Sequence, residues 1–276
     1  MSTKKRVIMK LLSFFKSILI LGLFLLINVL ISFLLQFLLQ LNILSYELFK
    51  ILLSLTFIVP SVIVYWIFKH YIYFNIYFIK NFMFYFIIFF LSLSLQIMGT
   101  IIEVWSMSFI SDDYKDYYNL LKEMLLPKSN LDAMFSLITI GMIAPICEEF
   151  LFRGLILDNL YRKYNFWISN IFQAILFGIA HMNPFQFLYA IPIGLLLGWF
   201  YIKTKNLWVP ISIHMFTNSI AILSSLIETN NTLIKKFLQF GEEAESIKDL
   251  PIEPIYFALF MLAISILLIP HFSKKD

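Results

Sequence analysis

Charge is what this sequence has least of. Only 14% of its 276 residues are Asp, Glu, Lys or Arg, against about 25% in an average soluble domain. Glycine (8) and proline (9) are also sparse, which excludes collagen-like chains and the Gly/Pro-rich disordered classes. The single cysteine, Cys147, rules out an intramolecular disulfide framework and any cysteine-rich metal site. The basic residues lie beside apolar runs instead of forming one patch, so the net charge of +4 gives no reason to expect a nucleic-acid partner.

The space is filled by apolar residues. The chain is 61% hydrophobic, with 31 Phe, 14 Tyr, 5 Trp and a mean hydropathy of +0.85. A helix needs about 20 apolar residues to cross a ~30 Å hydrocarbon core. Such runs fall at 17–41, 48–68, 82–105, 132–160, 167–182, 185–202, 207–227 and 254–270. The sequence therefore predicts an all-α integral membrane protein of about eight transmembrane helices, multi-pass in the cell membrane, with the lipid bilayer as its solvent.

The first run follows Lys4, Lys5, Arg6, Lys10 and Lys16. Its length, and the lack of a small-residue cleavage site, predict an uncleaved anchor rather than a signal peptide. With eight crossings, the segments on the side of the termini hold 14 of the 21 Lys and Arg, and the opposite segments hold 7. The positive-inside rule then puts the N and C termini in the cytoplasm. The two longer loops on the far side are acidic, through Asp112, Asp113 and Asp116 and through Glu242, Glu243 and Glu245. The chain divides into N-terminal spans without a motif (1–130), a motif-bearing core (131–225), and an outer loop with the last helix (226–276). Gly194 and Gly198 predict close helix packing. Pro145, Pro192 and Pro210 predict kinks or helix starts, and Asn183-Pro184 a tight outer turn.

A few polar side chains stand where hydropathy forbids them. A charge at mid-bilayer costs at least ~2.5 kcal/mol, so such groups face a cavity or a partner. The fourth run carries Cys147-Glu148-Glu149-Phe150-Leu151-Phe152-Arg153, the fifth Phe177-Gly178-Ile179-Ala180-His181, and the seventh His214-Met215-Phe216-Thr217-Asn218. Glu149 and Arg153, four apart, share a helix face and can form an ion pair. Glu148 is turned about 100° away and lacks a local partner, which suits a general base. His214 and Asn218 are also four apart and project together. Glu148 and His181 are equidistant from the turn Arg162-Lys163-Tyr164-Asn165, so an antiparallel hairpin sets them level, ~24 Å from the bend. His214 starts only a few residues past Pro210 and is expected to lie shallower. Cys147 reads as an inert buried thiol, not a nucleophile.

Together these residues resemble the CAAX prenyl protease and bacteriocin-processing family of intramembrane proteases, also called CPBP or Abi. Its pattern is E-E-x-x-x-R, F-x-x-x-H and H-x-x-x-N, here Glu148-Glu149-x-x-x-Arg153, Phe177-x-x-x-His181 and His214-x-x-x-Asn218. The resemblance covers roughly residues 131–225. It implies an intramembrane endopeptidase that cleaves a hydrophobic or membrane-bound peptide, in a cavity open to the cytoplasmic side. In that scheme Glu148 activates water with help from His181, Glu149 and Arg153 position the helix, and His214 and Asn218 bind the oxyanion. The family is also described as metalloproteases. In that version Glu148, His181 and His214 hold Zn²⁺, with Glu149 as base, and residue types alone leave both versions open. A rival reading keeps the fold but not the chemistry: a membrane immunity or scaffold protein that acts by contact. A transporter is disfavoured because no inverted repeat or paired broken helix is visible.

Overall fold

The structure, a computed structural model, describes residues 3–272 apart from 70–73, 112–114, 116–117, 119–126, 128, 228–230, 242–243 and 245. His70 and the six acidic loop residues named above lie outside the described residues. The described chain is helical and contains no β-strand.

A helix stands at each expected run. They are α1 (Thr3–Gln40), the pair α2 (Tyr46–Leu53) and α3 (Leu55–Phe68), α4 (Phe82–Met107), α5 (Asn130–Tyr161), α6 (Phe166–Ala180), α7 (Pro184–Thr204), α8 (Trp208–Ser224) and α10 (Ile252–Phe272); a short α9 (Thr232–Leu238) precedes the last. Among the described residues, six of these rods are long and apolar enough to cross a membrane unaided: α1, α2–α3, α4, α5, α7 and α10. The other two expected spans are shorter, 15 residues in α6 and 17 in α8. Their ends are set by local chemistry: α6 stops where His181 caps it and Met182 takes a positive φ of 50°. The turns follow the sequence closely. Asn165 caps α6 by accepting the Ile168 N–H, and Asn183 caps α7 by accepting from Phe185 and Gln186, with Pro184 in the first turn, where its missing N–H costs nothing.

Consecutive rods alternate in direction. On the face that holds the described ends, Asn159 bonds Ser13 and Ser17, and Asn206 bonds both the N–H and the carbonyl of Tyr77. On the opposite, distal face Lys50 pairs with Asp132, and Lys236 with Glu253 at 2.7 Å. Four apolar clusters fill the described interior, two of them large. One joins α1, α3, α5, α6 and α7 around Phe24, Phe152 and Phe177; the other joins α4, α7, α8 and α10 around Phe84, Leu91, Phe200 and Ile213. Large apolar side chains such as Phe15, Phe33 and Leu12 on α1 remain exposed, as expected of surfaces that face lipid tails.

Helix α5 departs from regular geometry twice. Leu137–Ile143 and Phe150–Leu157 are π-helical, and the α-helical turn between them is Ala144–Glu149. Pro145 explains the first: it has no N–H to donate to the preceding turn and its ring crowds the carbonyl there, so the backbone widens ahead of it. The two glutamates thus sit between two widened turns. The Gly194 and Gly198 expectation holds and has a specific content. A Cβ on Gly194 would meet Ala174 at 3.2 Å, and one on Gly198 would fall 2.0 Å from the Asn170 Oδ1. The second glycine therefore makes room for a polar side chain, not merely for a neighbouring backbone.

Candidate active site

The two neighbouring glutamates face in different directions. Glu149 is fully buried, while the Glu148 side chain keeps 19% of its exposure and lines a cavity of about 1040 Å³. Arg153 is fully buried, and its Nη1 donates to Glu149 Oε1 at 2.7 Å. This is the expected four-residue pair, preserved although Arg153 lies in the π-helical stretch. The same Glu149 oxygen meets His214 Nδ1 at 2.8 Å. Glu149 is thus the bridge of a buried Arg153–Glu149–His214 chain that ties α5 to α8. A carboxylate behind the ring fixes its orientation and turns Nε2 toward Glu148, whose Oε2 is 3.8 Å away. That gap exceeds a hydrogen bond, so both groups are presented to the cavity instead of to each other. His214 is therefore not shallow: α8 enters at the depth of the glutamates.

Phe177 shows why its motif begins with an aromatic residue. Its ring packs edge-on against His181 (4.8 Å between centroids) and His214 (5.8 Å), and the Arg153 guanidinium lies 4.6 Å from its centroid. Its carbonyl meets His181 Nδ1 at 2.8 Å, which leaves the other ring nitrogen of His181 for the cavity. His181, His214, Glu148 and Asn218 all line that cavity. Asn218 also donates its amide to the Ile140 carbonyl in the first π-helical stretch, at 3.0 Å. His214 and Asn218 share the cavity as expected, but each is anchored elsewhere, on Glu149 and on Ile140.

Behind the site lies a polar layer that the motifs do not contain. The Gly194 carbonyl of α7 accepts from Arg153 Nη2 at 3.3 Å and from Gln173 Nε2 at 2.9 Å. Gln173 also bonds Asn170, which reaches the Leu195 carbonyl. All of these side chains are essentially fully buried. The sequence carried a signal for them, since Asn170 and Gln173 are amides inside an apolar run and lie three apart on one face. Gln96 is a similar case in α4: it lines the cavity and donates to the Thr217 carbonyl at 2.5 Å.

Glu148, His181 and His214, the set expected for Zn²⁺, all line one cavity. Among the described residues no three His, Cys, Asp or Glu side chains converge closely enough to hold a metal ion. Glu149, the base of that alternative, is fully buried and is not among the residues that line the cavity.

Residues 130–220 match the family model of the Rce1-like type II CAAX prenyl endopeptidases. Over this region the chain is similar to the CAAX protease family. The Rce1-like region contains every motif residue of the cavity floor. Similar proteins include "Putative membrane peptidase YdiL" of Bacillus subtilis (strain 168), 31% identical over 103 residues, which are 37% of this chain and 42% of that protein. "Membrane-embedded CAAX protease MroQ" of Staphylococcus aureus (strain USA300) is 33% identical over 107 residues, 35% of this chain and 41% of that one. An uncharacterized 24.3 kDa protein of Escherichia coli is 28% identical over 109 residues, half of its length. The Rce1-like similarity thus spans half or less of these curated relatives. No solved structure matches the chain.

Proposed function

We propose that the protein is an intramembrane endopeptidase that hydrolyses a peptide bond in a hydrophobic or membrane-associated peptide. The observation that carries this reading is that Glu148 and His214 face one cavity side by side, the latter held from behind by the buried Glu149–Arg153 pair. One carboxylate is left for chemistry, and the other is committed to orientation.

In the reaction Glu148 accepts a proton from water as the water oxygen adds to the peptide carbonyl carbon. His181, across the same cavity, assists in holding that water. His214 and Asn218 face the oxygen on which negative charge develops, the kind of preorganised contact that dominates many enzymes. When the C–N bond breaks, the proton passes to the leaving amine, and the products are a carboxylate and an amine. In this reading the chain crosses eight times with its termini in the cytoplasm, which the excess of Lys and Arg on their side supports.

The test is cleavage of a labelled library of hydrophobic peptides by purified protein, with and without a chelator. Cleavage that persists in chelator and is lost in Glu148→Gln supports the glutamate-activated water. Cleavage abolished by chelator and restored by Zn²⁺ overturns that mechanism, and cleavage unaffected by Glu148→Gln overturns the site.

A further inference from the structure

The amide layer behind the site is held together at the expense of stability. Asn170, Gln173, Arg153 and Glu149 are buried, and among the described residues Gln173 Oε1, Arg153 Nε and Glu149 Oε2 have no hydrogen-bond partner. Buried polar atoms of this kind weaken a fold. Apolar groups of the same shape at 170 and 173 would leave none of them on α6, and such paired replacements are close to neutral. Packing alone therefore gives no reason for two amides here.

Their use is visible in where the hydrogens go. Gln173 Nε2 donates to Asn170 Oδ1 and to the Gly194 carbonyl, each at 2.9 Å. The same carbonyl accepts from Arg153 Nη2 at 3.3 Å. It holds the guanidinium from α7, whereas Glu149 holds it from its own helix through Nη1 at 2.7 Å. The guanidinium is a planar fork, so anchors on two helices fix its plane, and the Phe177 ring lies 4.6 Å from it. Glu149 Oε1, which takes the Arg153 bond, also meets His214 Nδ1 at 2.8 Å. A displaced guanidinium thus reaches the imidazole through one shared oxygen. Asn170 closes the far end by donating to the Leu195 carbonyl at 2.9 Å, so α6 is bonded to two successive carbonyls of α7. Gly198 makes this possible, because a Cβ there would lie 2.0 Å from Asn170 Oδ1 and 2.8 Å from Gln173 Nε2.

We propose that Gln173 is a positioning residue for His214, acting through the Gly194 carbonyl, Arg153 and Glu149, with Asn170 setting the Gln173 amide. The relay runs from α6 through α7 and α5 to α8, and ends on the ring whose Nε2 stands 3.8 Å from Glu148. Neither amide is among the residues that line the cavity, so neither touches a bound peptide, and none of the three sequence motifs contains them. For its effect on turnover the proposal rests on the endopeptidase reading. Its effect on the imidazole is measurable without any cleavage.

Gln173→Met keeps the length of the side chain and removes both N–H donors. Ile97→Ala, in the apolar cluster that α4 shares with Ala258 of α10, is a control that destabilises the fold away from the layer. In purified protein Gln173→Met is expected to lower kcat about 10–10²-fold, the scale of a small misplacement remote from the chemistry, with KM unchanged. The folded fraction of Ile97→Ala is expected to keep the wild-type kcat. The chain has four histidines, so ¹⁵N-histidine labelling reads the His214 ring directly, assigned through His214→Gln, with His271 on α10 as reference. The His214 Nδ1 signal is expected to shift and broaden in Gln173→Met, and by less in Asn170→Ala, while His271 stays in place. Asn170→Ala carries the same measurements if Gln173→Met does not fold. A His214 signal unchanged in the amide variants, or changed as much in Ile97→Ala, overturns the proposal, as does an altered signal with undiminished kcat. If the wild type cleaves no peptide but His214 still responds to Gln173→Met, the endopeptidase reading fails and the positioning of the ring stands.

Discussion

Adjacent residues of one type need not do one job, and Glu148 and Glu149 show how burial divides them. Glu148→Gln removes a proton acceptor at the cavity and leaves packing untouched. Peptide cleavage is expected to fall by about 10²–10⁴-fold, the usual worth of a general base, with the thermal unfolding temperature in detergent unchanged. Glu149→Ala strands the Arg153 guanidinium in a fully buried setting and frees His214. Breaking a buried pair from one side costs about 3–5 kcal/mol, so this variant is expected to lose stability as well as activity in the same two measurements. The i,i+4 pairing of Glu149 with Arg153 was legible from spacing alone. The contact of Glu149 with His214 was not, because the two are 65 residues apart and only the packing of α8 on α5 brings them together. For the same reason the sequence paired His214 with Asn218 along one helix, while the fold anchors each on α5.

Among the elements, the hairpin of α5 and α6 was readable because its determinants are local: a polar turn, the Asn165 cap and the equal spacing of Glu148 and His181 from that turn. The π-helical stretches in α5 were not, since apolar periodicity changes little when one turn is widened. Glycines separate in the same way. Gly22 has open space where a Cβ would go, whereas Gly198 does not. Gly22→Ala in α1 is expected to be neutral or stabilising by up to about 1 kcal/mol, from helix propensity. Gly198→Ala forces Asn170 and Gln173 aside and is expected to destabilise by about 1–3 kcal/mol, read from the unfolding temperature in detergent. Spacing marked both Gly194 and Gly198 as small; only the structure shows that Gly198 guards a buried amide layer.

For the whole molecule, alternate helix directions and the excess of Lys and Arg on one face predict that both termini share the cytoplasm. A fluorescent-protein fusion after Asp276 is expected to fluoresce, and an alkaline phosphatase fusion at the same point to be inactive; the reverse pattern refutes the orientation. The composition identified the solvent, but a hydropathy profile has no depth coordinate, so it could not reveal that α8 brings His214 to the depth of the glutamates. The contacts of α8 also limit what the cavity can admit. Two side-chain bridges, His214 to Glu149 and Asn218 to Ile140, rivet α8 to α5 along the floor. A guest bulky enough to wedge these helices apart would pull the imidazole off its carboxylate. On the proposed reading the site is expected to act as its own calliper, with oversized chains disarming it.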